Sequence, residues 1–105
     1  MDAQLKRGVL EACVLSALVK EPSYGYQIIK SLAPVLSISE STLYPILKRL
    51  ETSGSLSVQS LEHNGRLRKY YAITDGGKTR LKQFIEEWEG IADIYHYIQN
   101  EVASL

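Results

Sequence analysis

One hundred and five residues, 45% of them hydrophobic and 23% charged, suit one small folded domain and exclude a disordered, collagen-like or low-complexity chain. The 12 Lys and Arg balance the 12 Asp and Glu, yet the charges are sorted: residues 1–82 hold every base and seven acids, net +5, whereas residues 83–105 hold five acids and no base, net −5. A basic body with an acidic tail permits a polyanion partner at one end and repels it at the other. No apolar stretch reads as a membrane span and no signal-peptide pattern opens the sequence, so a cytoplasmic protein with no membrane association is expected. Cys13 is the only cysteine, which excludes an internal disulfide and a cysteine-rich zinc site. His63 and His96 stand at no metal-ligand spacing, so neither a metal nor a cofactor is expected.

From Gln4 to Lys20 the residues Leu5, Val9, Leu10, Ala12, Cys13, Val14, Ala17 and Leu18 recur at helical spacing over a broad face, which predicts a largely buried first helix stopped by Glu21-Pro22. Ser23 reads as the cap of a second helix whose face carries Tyr24, Ile28 and Leu32, bounded by Pro34. Gly25 in its first turn points to a close packing approach or a tight entry. A third helix starts between Ser39 and Thr42 and runs to Thr52, with Gly54 just past its end as its C-terminal cap signal. Pro45 belongs in a first turn, where its missing N–H is harmless, and favours a start near Ser41 or Thr42. Leu43, Ile46, Leu47 and Leu50 then point one way, and Ser41, Tyr44, Pro45, Lys48 and Arg49 lie on the rest of the cylinder.

Asn64-Gly65 suits a two-residue type I′ turn between two β-rich runs. With those two residues as the loop, His63 faces Arg66, Leu61 faces Arg68, Ser60 faces Lys69, Val58 faces Tyr71 and Leu56 faces Ile73. Paired residues share a face, so Leu56, Val58, Tyr71 and Ile73 make an apolar base, while His63, Arg66, Arg68 and Tyr70 occupy the other face and the tip. A final helix follows Thr74-Asp75, its first turn weakened by Gly76-Gly77. Leu81, Phe84, Trp88, Ile91, Tyr95, Ile98 and Val102 repeat at alternating steps of three and four, a heptad seam. Residues 75–102 would extend roughly 40 Å as a helix, against a radius of gyration of about 11 Å for a body of some 70 residues. A helix so long needs a partner, and a homodimer built on this seam is expected.

Three helices, the third with a polar and basic face, followed by a hairpin with a basic tip, describe a winged helix-turn-helix, a mainly α (α+β) fold that presents a helix to the DNA major groove and a wing beside it. Tyr24-Gly25-Tyr26 with Ile28, Ser41-Thr42-Leu43-Tyr44-Pro45 leading into Leu47-Lys48-Arg49-Leu50-Glu51 and Gly54, and Gly65-Arg66 with Arg68-Lys69-Tyr70-Tyr71 and Ile73-Thr74 stand in order over residues 5–81. In these segments the chain resembles the PadR family of bacterial transcriptional regulators, in its short branch with a single C-terminal dimerisation helix. One departure is Leu67, where family wings commonly carry proline. The resemblance implies a DNA-binding domain over residues 1–74 and a dimerisation helix over residues 75–105. It implies that Ser41, Thr42, Tyr44, Pro45, Lys48 and Arg49 belong to a recognition helix facing double-stranded DNA, and Arg66, Arg68 and Lys69 to the wing. Lysines and arginines in such positions neutralise phosphates independently of sequence. Bidentate base readers are scarce on this helix, which leaves room for shape readout.

The blander readings are that Lys48 and Arg49 are merely solvated, that Tyr24, Tyr26 and Tyr71 only pack, and that Trp88 is one seam residue among seven. The resemblance also implies an apolar space between subunits, where Trp88, Phe84, Ile85 and Ile91 with Leu5, Val9 and Cys13 would receive a small planar effector. No nucleophile with base and orienter, no glycine-rich phosphate loop and no readable carboxylate cluster is present, so an enzyme is not expected. The expectation is a homodimeric repressor on a pseudo-palindromic operator. The alternative is a winged-helix module for protein–protein contact, which would more often bury apolar side chains where Arg66, Arg68, Lys48 and Arg49 stand.

Overall fold

Six elements follow one another in the computed structural model, which describes residues 3–105: α1 (Ala3–Ser16), α2 (Gly25–Leu32), α3 (Glu40–Thr52), β1 (Leu56–His63), β2 (Arg66–Ile73) and α4 (Asp75–Ala103). The chain is mainly helical with a two-stranded antiparallel sheet, a winged-helix architecture. The core gathers Val14, Leu15 and Leu18 from the α1 region, Ile28 and Leu32 from α2, Leu43, Ile46, Leu47 and Leu50 from α3, and Leu56 and Tyr71 from the wing base. Helix α3 touches α1, α2 and β1, and α4 returns against α1 and β2.

The expected separation of faces on the third helix is found. Its four apolar residues are each at most 2% exposed, and each contributes roughly 1.5–3 kcal/mol by leaving water. Together they outweigh the about 3 kcal/mol that a proline costs inside a helix, and that is where Pro45 stands. The helix starts at Glu40, earlier than the proline favours, because Ser39 caps it by accepting the Thr42 N–H at 3.3 Å. Pro45 therefore falls in the second turn and leaves the Ser41 carbonyl without its helical donor, on an exposed face where water can serve. At the other end Gly54, at φ 77°, closes a Schellman motif: the Ser55 N–H reaches the Leu50 carbonyl at 2.8 Å and the Gly54 N–H the Glu51 carbonyl at 3.0 Å.

Two boundaries differ from expectation. Helix α1 ends at Ser16, not Lys20, as the Ser16 hydroxyl turns back to the Ala12 carbonyl at 2.7 Å and residues 17–19 tighten into a turn that still buries Leu18. Its burial is confined to the second half, since Leu5 is exposed and Val9 half-buried. Ser23 is not a helix cap. It exchanges two backbone hydrogen bonds with Tyr71, at 3.0 and 2.7 Å, and so lays a one-residue third strand beside the wing, leaving Tyr24 as the cap position without a side-chain acceptor.

The hairpin has the expected register throughout, from Leu56 opposite Ile73 to His63 opposite Arg66. Asn64 and Gly65 both take positive φ, 53° and 78°, the type I′ geometry that matches strand twist. Thr74 caps α4 by accepting the Gly77 N–H, and its hydroxyl donates to the Gly54 carbonyl at 2.6 Å, which ties the start of α4 to the end of α3. The glycine pair that weakens this helix has a reason: a β-carbon on Gly77 would lie 2.1 Å from the Ser55 carbonyl oxygen. Helix α4 then leaves the body, giving extents of 63 × 26 × 23 Å and a radius of gyration of 16.5 Å, against about 13 Å for a compact chain of this length.

The two kinds of helical glycine make opposite predictions. Gly77→Ala must move the Ser55 backbone and is expected to lower stability by about 1–3 kcal/mol. Gly90→Ala, with open space around it, is expected to raise stability by about 0.5–1 kcal/mol. Urea unfolding of both variants checks the pair.

Candidate nucleic-acid interface

Burying the apolar stripe of α3 turns Ser41, Thr42, Tyr44, Pro45 and Lys48 to solvent. The Ser39 hydroxyl gathers the neighbouring hydroxyls, with Ser41 Oγ at 3.0 Å and Thr42 Oγ1 at 3.1 Å, so the N-terminal turn presents a fixed set of hydroxyl groups. Tyr44 leans toward α2, and a β-carbon on Gly25 would lie 2.6 Å from its hydroxyl oxygen. This is the close approach that the glycine's position anticipates.

The wing stands beside this face. Tyr24, Gly25, Tyr26 and Tyr44 border one groove together with His63, Leu67, Arg68 and Lys69, and Lys69 borders a second groove with Tyr44 and Lys48. Lys48, Tyr44 and Lys69 are thus brought together across α3 and the wing. Arg66 is exposed at the tip. Arg68 lies on the other face of the hairpin, its guanidinium 4.1 Å from the centre of the Tyr24 ring, a cation–π contact. Tyr24 also meets Tyr70 edge-on at 5.5 Å. Tyr24, expected only to pack, therefore has a second part: it holds Arg68.

Arg49 is placed differently from the other residues expected on the DNA-facing side of α3. It is half-buried, and its Nε donates to Glu11 Oε1 at 3.2 Å. The same oxygen accepts from Arg7 Nε at 3.3 Å, and Arg80 Nη2 pairs with Glu11 Oε2. Glu11 is 4% exposed, and three guanidiniums from α1, α3 and α4 converge on it. Arg80 reaches further, to the hydroxyls of Ser53 and Ser55 at 3.4 Å. Sequence reasoning counts Glu11 only as a charge. A signal for it exists, since it shares a helical face with Leu15 and Leu18 and follows Arg7 by four residues.

The residues expected to receive an effector are not assembled within one chain. The cleft between α1 and α4 is bordered by Gly8, Ala12, Leu15, Arg80, Leu81, Gln83, Phe84 and Glu87, so of that set only Phe84 lines it. Trp88 is half-buried beside Phe84, ring centres 5.7 Å apart. Ile85 and Ile91 are exposed, and Cys13 is half-buried, with burial pushing its thiol above its ordinary value. Along the seam, Leu81 packs on the core, whereas Ile91, Tyr95, Ile98 and Val102 are 46–58% exposed. Among the described residues no group of His, Cys, Asp and Glu could hold a metal, and no helix is long and apolar enough to cross a membrane.

The family model described as the Transcriptional regulator PadR-like family matches residues 14–83. The fold is similar to that of a PadR-like transcription factor from Bacteroides fragilis, with 36% identity and a TM-score of 0.82 over 91% of this chain and 95% of that one. A PadR family transcriptional regulator from Eggerthella lenta is similar at 38% identity and a TM-score of 0.82, covering 91% of this chain and 86% of that one. An uncharacterised protein of Lysinibacillus sphaericus is 31% identical over 93 residues, 84% of this chain and 85% of the relative.

The ion cluster predicts an unequal set of costs. Glu11→Ala removes the carboxylate that Arg7, Arg49 and Arg80 share at the junction of three helices and is expected to cost about 1–3 kcal/mol. Arg7→Ala removes one half-exposed partner and should cost below about 1 kcal/mol. Chemical denaturation of the two variants checks the order.

Proposed function

Because the chain belongs to the PadR-like family of transcriptional regulators, DNA-binding proteins and not enzymes, we propose that it is a homodimeric repressor, acting in a bacterial cytoplasm on a pseudo-palindromic operator. Residues 1–74 form the DNA-binding part and residues 75–105 the dimerisation helix. The observation that carries this reading is the face shared by α3 and the wing, where Ser41, Thr42, Tyr44, Pro45 and Lys48 stand outward beside Lys69 while the opposite side of α3 is wholly buried. Helix α3 enters the major groove from this face. Arg66, Arg68 and Lys69 on the wing engage the adjacent backbone, and Lys48 adds a phosphate contact on the helix.

The dimer reading is supported by the exposed apolar seam of Ile91, Tyr95, Ile98 and Val102 on a helix that extends beyond its own body. Burying that stripe against a second copy would remove it from water and set two recognition helices at the spacing of half-sites about 34 Å apart. Occupation of a promoter by such a dimer blocks transcription. A small apolar or planar effector entering beside Trp88, Phe84, Ile85, Ile91, Leu5, Val9 and Cys13 would act by favouring one spacing of the recognition helices over another, since only differential affinity shifts the equilibrium.

Lys48→Ala and Arg68→Ala are each expected to weaken duplex binding and to make the plot of log affinity against log salt shallower by about 0.9 for each phosphate no longer neutralised, with the circular dichroism spectrum unchanged. Unchanged binding would remove these residues from the interface. Ile91→Asp is expected to convert the dimer to a monomer in sedimentation measurements. It is a cleaner probe than Leu81→Asp because Leu81 also packs on the core. Trp88 is the only tryptophan, so its fluorescence reports the effector site directly: a planar cationic dye at micromolar concentration should quench it, and the absence of quenching would sink the effector reading.

A further inference from the structure

Arg7 belongs to no motif of the family resemblance, yet it lies on the flank of the candidate interface. A groove on the outer side of α3 is bordered by Arg7 from α1 and by Pro45, Lys48, Arg49, Thr52 and Ser53. Two of these residues, Pro45 and Lys48, also belong to the exposed recognition face, so the groove continues that face toward α1. Three cations border it and no acid does.

The buried carboxylate beneath gives this groove a definite geometry. Glu11 Oε1 takes the Nε atoms of both Arg7 and Arg49, and among the described residues no other acceptor meets either guanidinium. A guanidinium held through Nε keeps both Nη groups available as a planar fork, the arrangement that suits phosphate oxygens. Arg80 pairs with Glu11 Oε2 and offsets the carboxylate charge from the side of α4, so the groove retains its positive field. Glu11 is almost fully buried, which fixes the position of its oxygens more firmly than a surface pair would.

We infer that Arg7, Arg49 and Lys48 form a seat for a DNA backbone phosphate on the α1–α3 flank, with Glu11 as the positioning residue that aims the two guanidiniums. This rests on the reading of the chain as a DNA-binding regulator and extends its footprint to α1. Arg49 then acts on the phosphate backbone, because it is half-buried on the flank of α3 beside Arg7 and set back from the outward face of Ser41, Thr42, Tyr44 and Pro45. The seat adds affinity and salt dependence without adding sequence information.

The test is a titration of a 30-base-pair duplex at several salt concentrations with the full-length protein and three variants. Arg7→Ala is expected to reduce the salt slope measurably, by at most about 0.9 per protomer bound because three cations share the one phosphate, with its fold kept by the remaining Glu11 partners. Lys6→Ala removes the same charge from the same turn, away from the groove, and is expected to leave the slope unchanged. In a Glu11→Gln background the effect of Arg7→Ala should shrink by at least half, a coupling that a merely structural role for Glu11 would not produce. An Arg7→Ala slope equal to that of the parent protein, or a Lys6→Ala slope reduced as much as that of Arg7→Ala, overturns the seat while a steep parent slope leaves the regulator reading standing. A full Arg7→Ala effect in the Glu11→Gln background overturns the positioning role of Glu11. A parent protein that binds no duplex overturns both readings together.

Discussion

Everything that faces outward on this molecule follows from one buried stripe. Leu43, Ile46, Leu47 and Leu50 occupy a single side of α3 and reach the core from α1, α2 and β1 at once. A helix has only one rotation that buries all four, so the same packing decides that Ser41, Tyr44, Pro45 and Lys48 point away. The helix ends are held as firmly as its axis, by the Ser39 cap at the start and the Schellman turn at Gly54. Thr74 and Gly77 then place the first turn of α4 directly against that C-terminal turn. The exposed face of α3 and the start of α4 are therefore parts of one packed unit.

The Glu11 cluster joins the same three helices by charge. A buried carboxylate without partners would cost several kcal/mol, and here each of three helices supplies an arginine that remains partly in water. Hydrophobic packing fixes where α3 lies, while the ion cluster fixes how particular side chains on its flank are aimed. These are different tasks. Removing a methylene group from the stripe acts on stability through packing, whereas changing the cluster acts on it through the charge-assisted hydrogen bonds that join α1, α3 and α4.

How much is legible in the sequence depends on how local the controlling interaction is. The wing register can be derived residue by residue because Asn64-Gly65 fixes a two-residue turn, and strand periodicity then leaves no freedom. The stripe on α3 is equally plain, because its spacing of three and four residues is set by the helix itself. Ser23 reads as a cap by local chemistry but forms a bridge to Tyr71, 48 positions away, which no local pattern encodes. The start of α3 at Glu40 lies within the span from Ser39 to Thr42 that the sequence allows, earlier than Pro45 favours, because the Ser39 cap sets it and burial of the stripe overrides the proline. Glu11 and Arg80 stand 69 positions apart, so their pairing appears only once the helices are packed. The candidate interface is legible as a face, but the separate placement of Arg49 and the support of Arg68 by Tyr24 are not.

The central claim is that the exposed side of α3 and the adjoining wing are the surface that meets duplex DNA. Backbone amide NMR of the isotopically labelled protein, titrated with an operator-length duplex, tests it most directly because every element reports separately. The largest shift changes are expected at residues 41–48 and 66–69, with α4 from Glu86 onward little affected, as its five acids and no base oppose a polyanion. Changes concentrated on α4, or on the outer side of α2 around Lys30, with residues 41–48 silent, would contradict the account.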